Sequence, residues 1–335
     1  MYRRPYKIAN LSALTRWRQD AIVGTKHDQY RKFMKTFTSD QPEPERLDKL
    51  ATTELGITRS QVQKLIKAEK ILVDDKPANA RTMIDSSMVM SYDPTILDAV
   101  EKVGEMPVFE ILFENEEMVT INKPAGVLVH EAETSTEFTL VDALLCKWPE
   151  IATVGDDAKR AGLVHRLDKH ASGIMVVAKT QEAFDHLKTQ FKDRLVKKNY
   201  TVLVHEKLSQ ESGTIDFPIS RSKTSGRMAA RSKVDDGKKA VTHYDTIKAY
   251  PHHTLLDVNI ETGRTHQIRV HFFAMDHPVV GDTLYRQRGV KPMDIGRLFL
   301  HARKLRITIP NGEEKTFEAP IPKELEDVLD TIPKL

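Results

Sequence analysis

The segment His165-Arg166-Leu167-Asp168-Lys169-His170-Ala171-Ser172-Gly173 sets one carboxylate among four basic side chains. The apolar run Ile174-Met175-Val176-Val177-Ala178 follows at once and reads as a buried strand. A polar loop feeding a core strand is a place where a scaffold can hold a reactive group rigidly. The neighbouring cations favour the charged form of Asp168. A surface ion pair between Asp168 and adjacent Arg166 would give the same local pattern, because structural pairs perturb carboxylates too. The segment therefore needs partners elsewhere in the chain.

Three segments could supply them. In Ile121-Asn122-Lys123-Pro124-Ala125-Gly126 a strand breaks into a Pro/Gly turn with Lys123 at its tip. Lys197-Lys198-Asn199-Tyr200 enters a strand over Thr201–Val204 and brings an aromatic hydroxyl beside two cations, although a lone tyrosine there is more often core than catalytic. In Glu261-Thr262-Gly263-Arg264-Thr265-His266-Gln267-Ile268-Arg269-Val270-His271 a strand ends near Glu261 and Gly263 makes the turn. Thr265 is placed to cap a helix starting at His266. On that helix His266 and Arg269 share a face, and the free amides of its first turn suit a phosphate. Arg269 offers a planar, permanently charged partner for a carboxylate. His277-Pro278-Val279-Val280-Gly281-Asp282 follows.

The elements that must position these groups read as follows. Strands are expected over Val108–Phe113, Met118–Asn122, Thr201–Val204, Thr254–Ile260 and Lys304–Ile309, and helices over Leu140–Lys147, Gln181–Phe191 and Thr265–Ala274. Dominant strands with interspersed helices suggest α+β with a mixed, mainly antiparallel sheet rather than repeated βαβ units. Ahead of it, Glu45 to Tyr92 reads as a small α/β module. One helical turn pattern at Arg46–Ala51 puts Leu47 and Leu50 on one face. A second helix at Thr58–Lys67 turns Val62, Leu65 and Ile66 inward and Arg59, Lys64 and Lys67 outward. Short strands at Ile71–Val73 and Met88–Met90 flank the turn Asp74–Pro77.

The 335 residues, with 40% hydrophobic and 30% charged content, suit a two-domain globular protein. No apolar stretch approaches the ~18 residues of a membrane span, and no secretory leader is recognisable, so a cytoplasmic location is expected. Cys146 is the only cysteine, which excludes an internal disulfide and a cysteine zinc site; its amphipathic setting predicts a packed thiol. Residues 1–35 carry nine Lys/Arg against Asp20 and Asp28, with Tyr2, Tyr6, Trp17, Tyr30 and Phe33 interleaved. That composition suits phosphate neutralisation and base stacking, or simply a solvated terminus. The run Ser39–Pro44 reads as a linker, and Asp93–Pro107 as a polar connector.

The four reactive segments, in this order over about 230 residues, resemble the RluA-type pseudouridine synthase family. His165-Arg166-Leu167-Asp168 with Ser172-Gly173 matches its signature, Thr262 to His271 its later motif, and Leu298-Phe299-Leu300-His301-Ala302 its last. Ala171 departs from the threonine usual before Ser-Gly. The small module resembles the S-four-type (αL) RNA-binding domain, through Arg46-Leu47-Asp48-Lys49, Ser60 to Ile66 and Ile71 to Lys76.

The resemblance implies an RNA pseudouridine synthase, an isomerase with RNA as its partner and no cofactor, metal or obligate protein partner. Asp168 would be the catalytic carboxylate, acting on the ribose or the detached uracil so that the glycosidic bond breaks. The base then rotates and rejoins through its carbon 5. Tyr200 would stack on the target base and is a candidate to accept a ribose proton. Arg269 would hold Asp168 in an ion pair, and Leu300 would wall the pocket. Lys123, His165, Arg166, Arg264 and His266 would contact RNA backbone or neighbouring bases, as would Arg59, Lys64 and Lys67 on the module. The arginines around Asp168 oppose a cation there, and no cysteine cluster, nucleotide-binding glycine loop or helical histidine pair is present.

The expected division is a basic extension (1–43), the S-four-type domain (44–92), a linker (93–107) and the catalytic domain (108–335). The basic, serine-rich stretch Ser220–Lys233 reads as an RNA-facing insertion or as a solvated loop. Large-subunit ribosomal RNA is the expected target, with tRNA open, and a monomer is expected. The competing reading is a non-catalytic RNA-binding or ribosome-assembly factor. A hydrolase built on Ser172 lacks the strand-turn-helix elbow of a nucleophilic serine.

Overall fold

The structure, a computed structural model, describes residues 35–39, 43–57, 59–92, 102, 104–131, 136–222, 224–232 and 236–334. The basic arm over 1–34 and most of the connector after Tyr92 lie outside the described residues. The described chain falls into two compact units, a small one through residue 102 together with residue 136, and a large one over 104–131 and from Glu137 onward.

In the small unit the elements run β1 (Lys35–Thr38), β2 (Glu45–Arg46), α1 (Leu47–Leu55), α2 (Arg59–Lys67), β3 (Ile71–Val73), β4 (Lys76–Pro77), β5 (Met83–Ile84) and β6 (Val89–Tyr92). Leu47, Leu50, Val62, Ile66, Ile71, Ile84 and Met90 form its core. The sheet order is β1-β6-β3-β4, so residues assigned from sequence to the extension supply an edge strand. Asp48 is wholly buried and takes hydrogen bonds from Arg46, Arg59 and Gln63. Burial alone would raise its carboxyl, but those donors outweigh it and draw it down to about 2. Lys64 and Lys67 stay exposed on α2, whereas Arg59 is partly committed to Asp48.

The large unit is built from β7 (Glu110–Glu114), β8 (Met118–Lys123), α3 (Leu140–Lys147), β9 (Ser172–Ala178), α4 (Gln181–Lys192), β10 (Lys197–His205), β11 (Ser212–Ile215), β12 (Ile219–Arg221), β13 (Met228–Ala230), β14 (Thr242–Ala249), β15 (His253–Ile260), α5 (Gln267–Ala274), β16 (Leu300–Thr308), β17 (Glu314–Glu318) and α6 (Lys323–Thr331). Nine strands order as β11-β14-β15-β10-β16-β9-β8-β7, with β17 also on β16. The fold is α+β with a mainly antiparallel sheet, as the sequence implies. All seven residues of β9 are buried because both sheet faces are covered. Met175 and Val177 join Leu140, Leu144 and Phe272 on one side; Ile174 and Val176 join Ala183 and Leu187 on the other.

Among the described residues one pairing is parallel, β9 with β16, at His301↔Ser172 and Ala302↔Gly173. This seam positions the site. Gly173 has φ +117°, and a Cβ there would stand 2.3 Å from the Ala302 carbonyl oxygen, so the strands meet this closely only through glycine. On the other side of β16, Tyr200 of β10 pairs with Ala302. The loop before β9, the start of β16 and Tyr200 thus converge near the middle of the sheet.

Several sequence expectations change. β16 begins at Leu300 rather than Lys304, so the motif Leu298–Ala302 runs into the strand. Within the stretch expected as a loop, β12 and β13 form a hairpin, with Arg231 Nε donating to Ser220 Oγ at 2.7 Å; Lys223 and Lys233 lie outside the described residues. Cys146 is exposed rather than packed, because α3 buries Leu140, Val141, Ala143 and Leu144 and leaves position 146 on the outer face. No described helix is long and apolar enough to cross a membrane.

Candidate active site

The loop carrying Asp168 is anchored at every turn. Leu167 and Ala171 are buried in the core, the Ala171 N–H donates to the Asp168 carbonyl (3.1 Å), and the Gly126 N–H to the Lys169 carbonyl (2.8 Å). The methyl of Ala171 therefore packs inward, at the position where the resembled family carries threonine. Lys123 lies beneath the loop with no exposed surface, and its Nζ donates to the carbonyls of Pro124 (2.7 Å), Val127 (2.9 Å) and Lys169 (3.2 Å). This overturns Lys123 as an RNA contact: β8 runs through residue 123, and three carbonyls match the three N–H bonds of an ammonium. Burial, and then Arg297, push that ammonium down to about 7 against the opposing pull of Asp168.

Asp168 retains some exposure, and its Oδ2 accepts NH1 of Arg269 at 3.0 Å, across 101 positions of sequence. The pairing expected from the resemblance is therefore present in the geometry. Arg269 also donates from Nε and NH2 to both oxygens of Asp282, at 2.7 and 2.9 Å. Burial works against the guanidinium charge, but Asp282 and then Asp168 outweigh it and raise its pKa. Sequence reasoning missed Asp282, although it ends the segment quoted directly after the Arg269 motif.

His266 does not open a helix. It is the residue before α5, in left-handed conformation (φ +58°), and Thr265 makes no cap. Instead the Gln267 side chain reaches back, accepting from the Thr262 hydroxyl (2.7 Å) and the Arg264 N–H (3.0 Å). That turn carries His266 Nε2 to 3.9 Å from Asp168 Oδ1, while Nδ1 and the Tyr285 hydroxyl are 2.9 Å apart. Burial lowers the His266 pKa despite the attraction of Asp168.

A cavity of about 520 Å³ opens over these groups, lined by Asp168, Tyr200, Leu300, His266 and Arg269. Tyr200 and Leu300 are buried in its wall. Burial, then the Asp168 charge, raise the Tyr200 pKa, so the phenol enters the pocket protonated. Arg166 reaches the same cavity from an exposed position, 3.3 Å from His130 Nε2; Arg264 lies at the edge with Nε donating to the Lys239 carbonyl (3.0 Å). Lys188, Lys192, Arg194 and Lys198, from α4, the turn after it and the start of β10, add a basic side that sequence reasoning had not gathered. Their signal was available, since Lys188 and Lys192 recur at helical spacing.

His165 also changes role. Its Nε2 accepts the Val176 N–H at 3.0 Å and its ring stacks on Phe191, centroids 4.5 Å apart. Burial, then Lys198, push it down to about 3, so it is neutral and its Nε2 is occupied by a core strand rather than by a phosphate. Among the described residues no cluster of three His, Cys, Asp or Glu suits a metal ion.

Comparisons with known proteins bear on the same residues. The model of the RNA pseudouridylate synthase family matches residues 117–274, and that of the S4 domain residues 45–89. The chain is 35% identical over 301 residues to an uncharacterized RNA pseudouridine synthase, YlyB, of Bacillus subtilis, covering 88% of this chain and 97% of that protein. It is 36% identical over 288 residues to the ribosomal large subunit pseudouridine synthase D of Nitrosomonas europaea, covering 83% and 81%. Among solved structures, human RNA pseudouridylate synthase domain containing 4 aligns at TM-score 0.53 and 26% identity, covering 67% of this chain and 95% of that one.

Proposed function

The chain belongs to the RNA pseudouridylate synthase family, an isomerase acting on uridines of RNA, and from that premise we propose that Asp168 is its catalytic carboxylate. The observation that carries this reading is the placement of Asp168 in the 520 Å³ cavity, with Oδ2 held by Arg269 at 3.0 Å and Tyr200 in the same wall. A cavity of that size suits one extruded nucleoside.

Extrusion costs a few kcal/mol, which base stacking worth ~1–3 kcal/mol and phosphate contacts can offset. Tyr200 supplies the aromatic face and Leu300 the apolar wall. Arg166 and Arg264 neutralise flanking phosphates, with His266 at the pocket edge. Asp168, fixed by its buried loop, acts on the ribose or the freed base as the N1–C1′ bond breaks, and any bond or proton it takes is released again when carbon 5 bonds to C1′, so that the carboxylate is regenerated. The base turns, carbon 5 bonds to C1′, and the proton released from carbon 5 is balanced by one gained at N1. Lys64 and Lys67, and the exposed part of Arg59, add RNA-backbone contacts from the S4 domain.

The relatives give the non-catalytic alternative no support. The target we favour is large-subunit ribosomal RNA, since relatives from Nitrosomonas europaea and Neisseria meningitidis carry that description in their names. The division at residues 44–92 and 108–335 and a cytoplasmic location belong to the same proposal. Asp168→Asn is expected to abolish pseudouridine formation while the fold and RNA binding persist; undiminished product from that variant refutes the assignment. Mapping pseudouridines in ribosomal and transfer RNA from cells with and without the gene decides the target.

A further inference from the structure

Arg269 serves two carboxylates unequally. Asp282 takes Nε at 2.7 Å and NH2 at 2.9 Å, whereas Asp168 receives only NH1, at 3.0 Å. Asp282 cannot swing out of this grip. Its side chain has no exposed surface, and its Oδ1 also accepts the N–H groups of Leu284 (2.8 Å) and Tyr285 (3.0 Å). Gly281 before it has φ +77°, and a Cβ there would stand 1.8 Å from the Arg297 carbonyl oxygen, so the turn is seated directly on its neighbour. The Tyr285 ring lies 5.1 Å from the guanidinium carbon, and its hydroxyl 2.9 Å from His266 Nδ1. One turn therefore fixes the guanidinium without reference to Asp168.

We propose that Asp282 is a positioning residue that rations Arg269: by holding the Nε and NH2 edge it fixes the guanidinium in an orientation that gives Asp168 NH1 alone and keeps Oδ1 of Asp168 outside the ion pair. A guanidinium and a carboxylate otherwise close into a two-bond fork. Freed from that hold, the guanidinium can turn so that NH1 and NH2 together cover both oxygens of the group that must act on the substrate. Among the described residues no donor takes Oδ1 in this way, since His266 Nε2 at 3.9 Å is beyond hydrogen-bond reach. Two carboxylates also share one cation, so Asp168 faces a charge already half committed. This inference rests on the reading of Asp168 as the catalytic carboxylate.

The test uses the full chain and an RNA substrate. Asp282→Asn keeps the size of the side chain but sets an amide N–H against the guanidinium N–H, which breaks the fork. It is expected to lower kcat about 10²-fold, as misplacement near 1 Å does, with RNA Kd within about twofold of wild type. In an Arg269→Lys background, which has no fork to ration, the same substitution is expected to cost no more than about twofold further. An equal loss in both backgrounds, or an unimpaired Asp282→Asn, overturns the proposal. Asp282→Glu keeps charge and fork and is expected to hold kcat within about tenfold of wild type. It carries the test alone if the asparagine variant does not fold; a folded, RNA-binding glutamate variant as inactive as Asp168→Asn overturns the proposal. The two claims separate cleanly. Full activity in Asp168→Asn removes the catalytic assignment, whereas an inactive Asp168→Asn beside a fully active Asp282→Asn removes only the role given to Asp282.

Discussion

Replacing Lys123 with methionine keeps a buried chain of similar length and removes its charge and every N–H. Two magnitudes then compete. The carbonyls of Pro124 and Val127 lose their only hydrogen bond among the described residues, while that of Lys169 keeps the Gly126 N–H at 2.8 Å. Leaving two carbonyls unpaired costs roughly 1–3 kcal/mol each, toward the lower end because both residues are half-buried and within reach of water. Against this, folding no longer buries an ammonium whose pKa falls from 10.5 to about 7, a penalty of about 4–5 kcal/mol at or below pH 7. Near pH 6 the two nearly cancel, and the variant is expected within about 2 kcal/mol of wild type.

The balance tilts with pH. Between about 7 and 10.5 the folded lysine is largely neutral while the unfolded one still binds a proton, so wild-type stability rises with pH. Methionine has no such slope. The gap should therefore widen by roughly 2–3 kcal/mol in favour of wild type from pH 6 to pH 9. Urea unfolding of both proteins at pH 6, 7.5 and 9 reads this directly. Parallel pH profiles, or a variant that gains on wild type as pH rises, would show that Lys123 is not buried as a strained ammonium. Because the Lys169 carbonyl adjoins Asp168, kcat is expected to fall as well, by up to about 10²-fold.

Two other perturbations test the frame around the site. Gly173→Ala must drive β9 from β16, since its Cβ would meet the Ala302 oxygen and nitrogen at 2.3 and 2.6 Å. We expect more than about 2 kcal/mol of destabilisation and a loss of product, measured by calorimetry and pseudouridine assay; a wild-type Tm would refute the close seam. Lys64→Ala and Lys67→Ala should each reduce the slope of log K against log salt for RNA binding by about 1, with Tm unchanged. Arg59→Ala should lower Tm as well, because it strips a donor from buried Asp48. Slopes identical to wild type would remove the helix face from the RNA interface.

What the sequence disclosed follows from how local its causes are. Leu140–Lys147 is found with its expected ends because Thr139 and Asp142 form a capping box beside a regular apolar stripe. The run 174–178 reads as a strand because burial on both faces demands unbroken apolar residues. The Asp168–Arg269 contact has no local cause at all, and only the resemblance to a family brought the two together. Where local chemistry had two outcomes, tertiary contacts chose. Thr265 looks like a cap, yet the Gln267 side chain satisfies that turn and His266 takes the left-handed position. Lys123 beside Pro124 and Gly126 looks like an exposed tip, and nothing nearby in sequence announces the Lys169 carbonyl. Asp282 was invisible for the same reason: its partners are a distant arginine and its own backbone.

The histidines that crowd the reactive loops look, in sequence, like an acid–base set, but burial assigns them other work. His165 is pushed down to about 3 and accepts a strand N–H; His130 is pushed down to about 4, first by burial and then by Arg166. His170 and His266 are lowered by burial as well, and Tyr200 is raised. At neutral pH burial keeps these groups uncharged, and of them His165, His266 and Tyr200 line the cavity as rings and hydrogen-bonding edges. The fixed charges at its centre are then Asp168 and Arg269, with buried Asp282 paired to Arg269 outside the lining. On the reading of Asp168 as catalyst, this leaves it with one oxygen outside the Arg269 ion pair, while Glu261, the other carboxylate of the lining, is paired with His243. The same low-dielectric packing that silences the imidazoles strengthens the field of that charge on a substrate from which water is excluded. The pocket thus concentrates its reactivity in one oxygen atom, and the surrounding residues act chiefly by what they deny: water, competing protons and a second bond from Arg269.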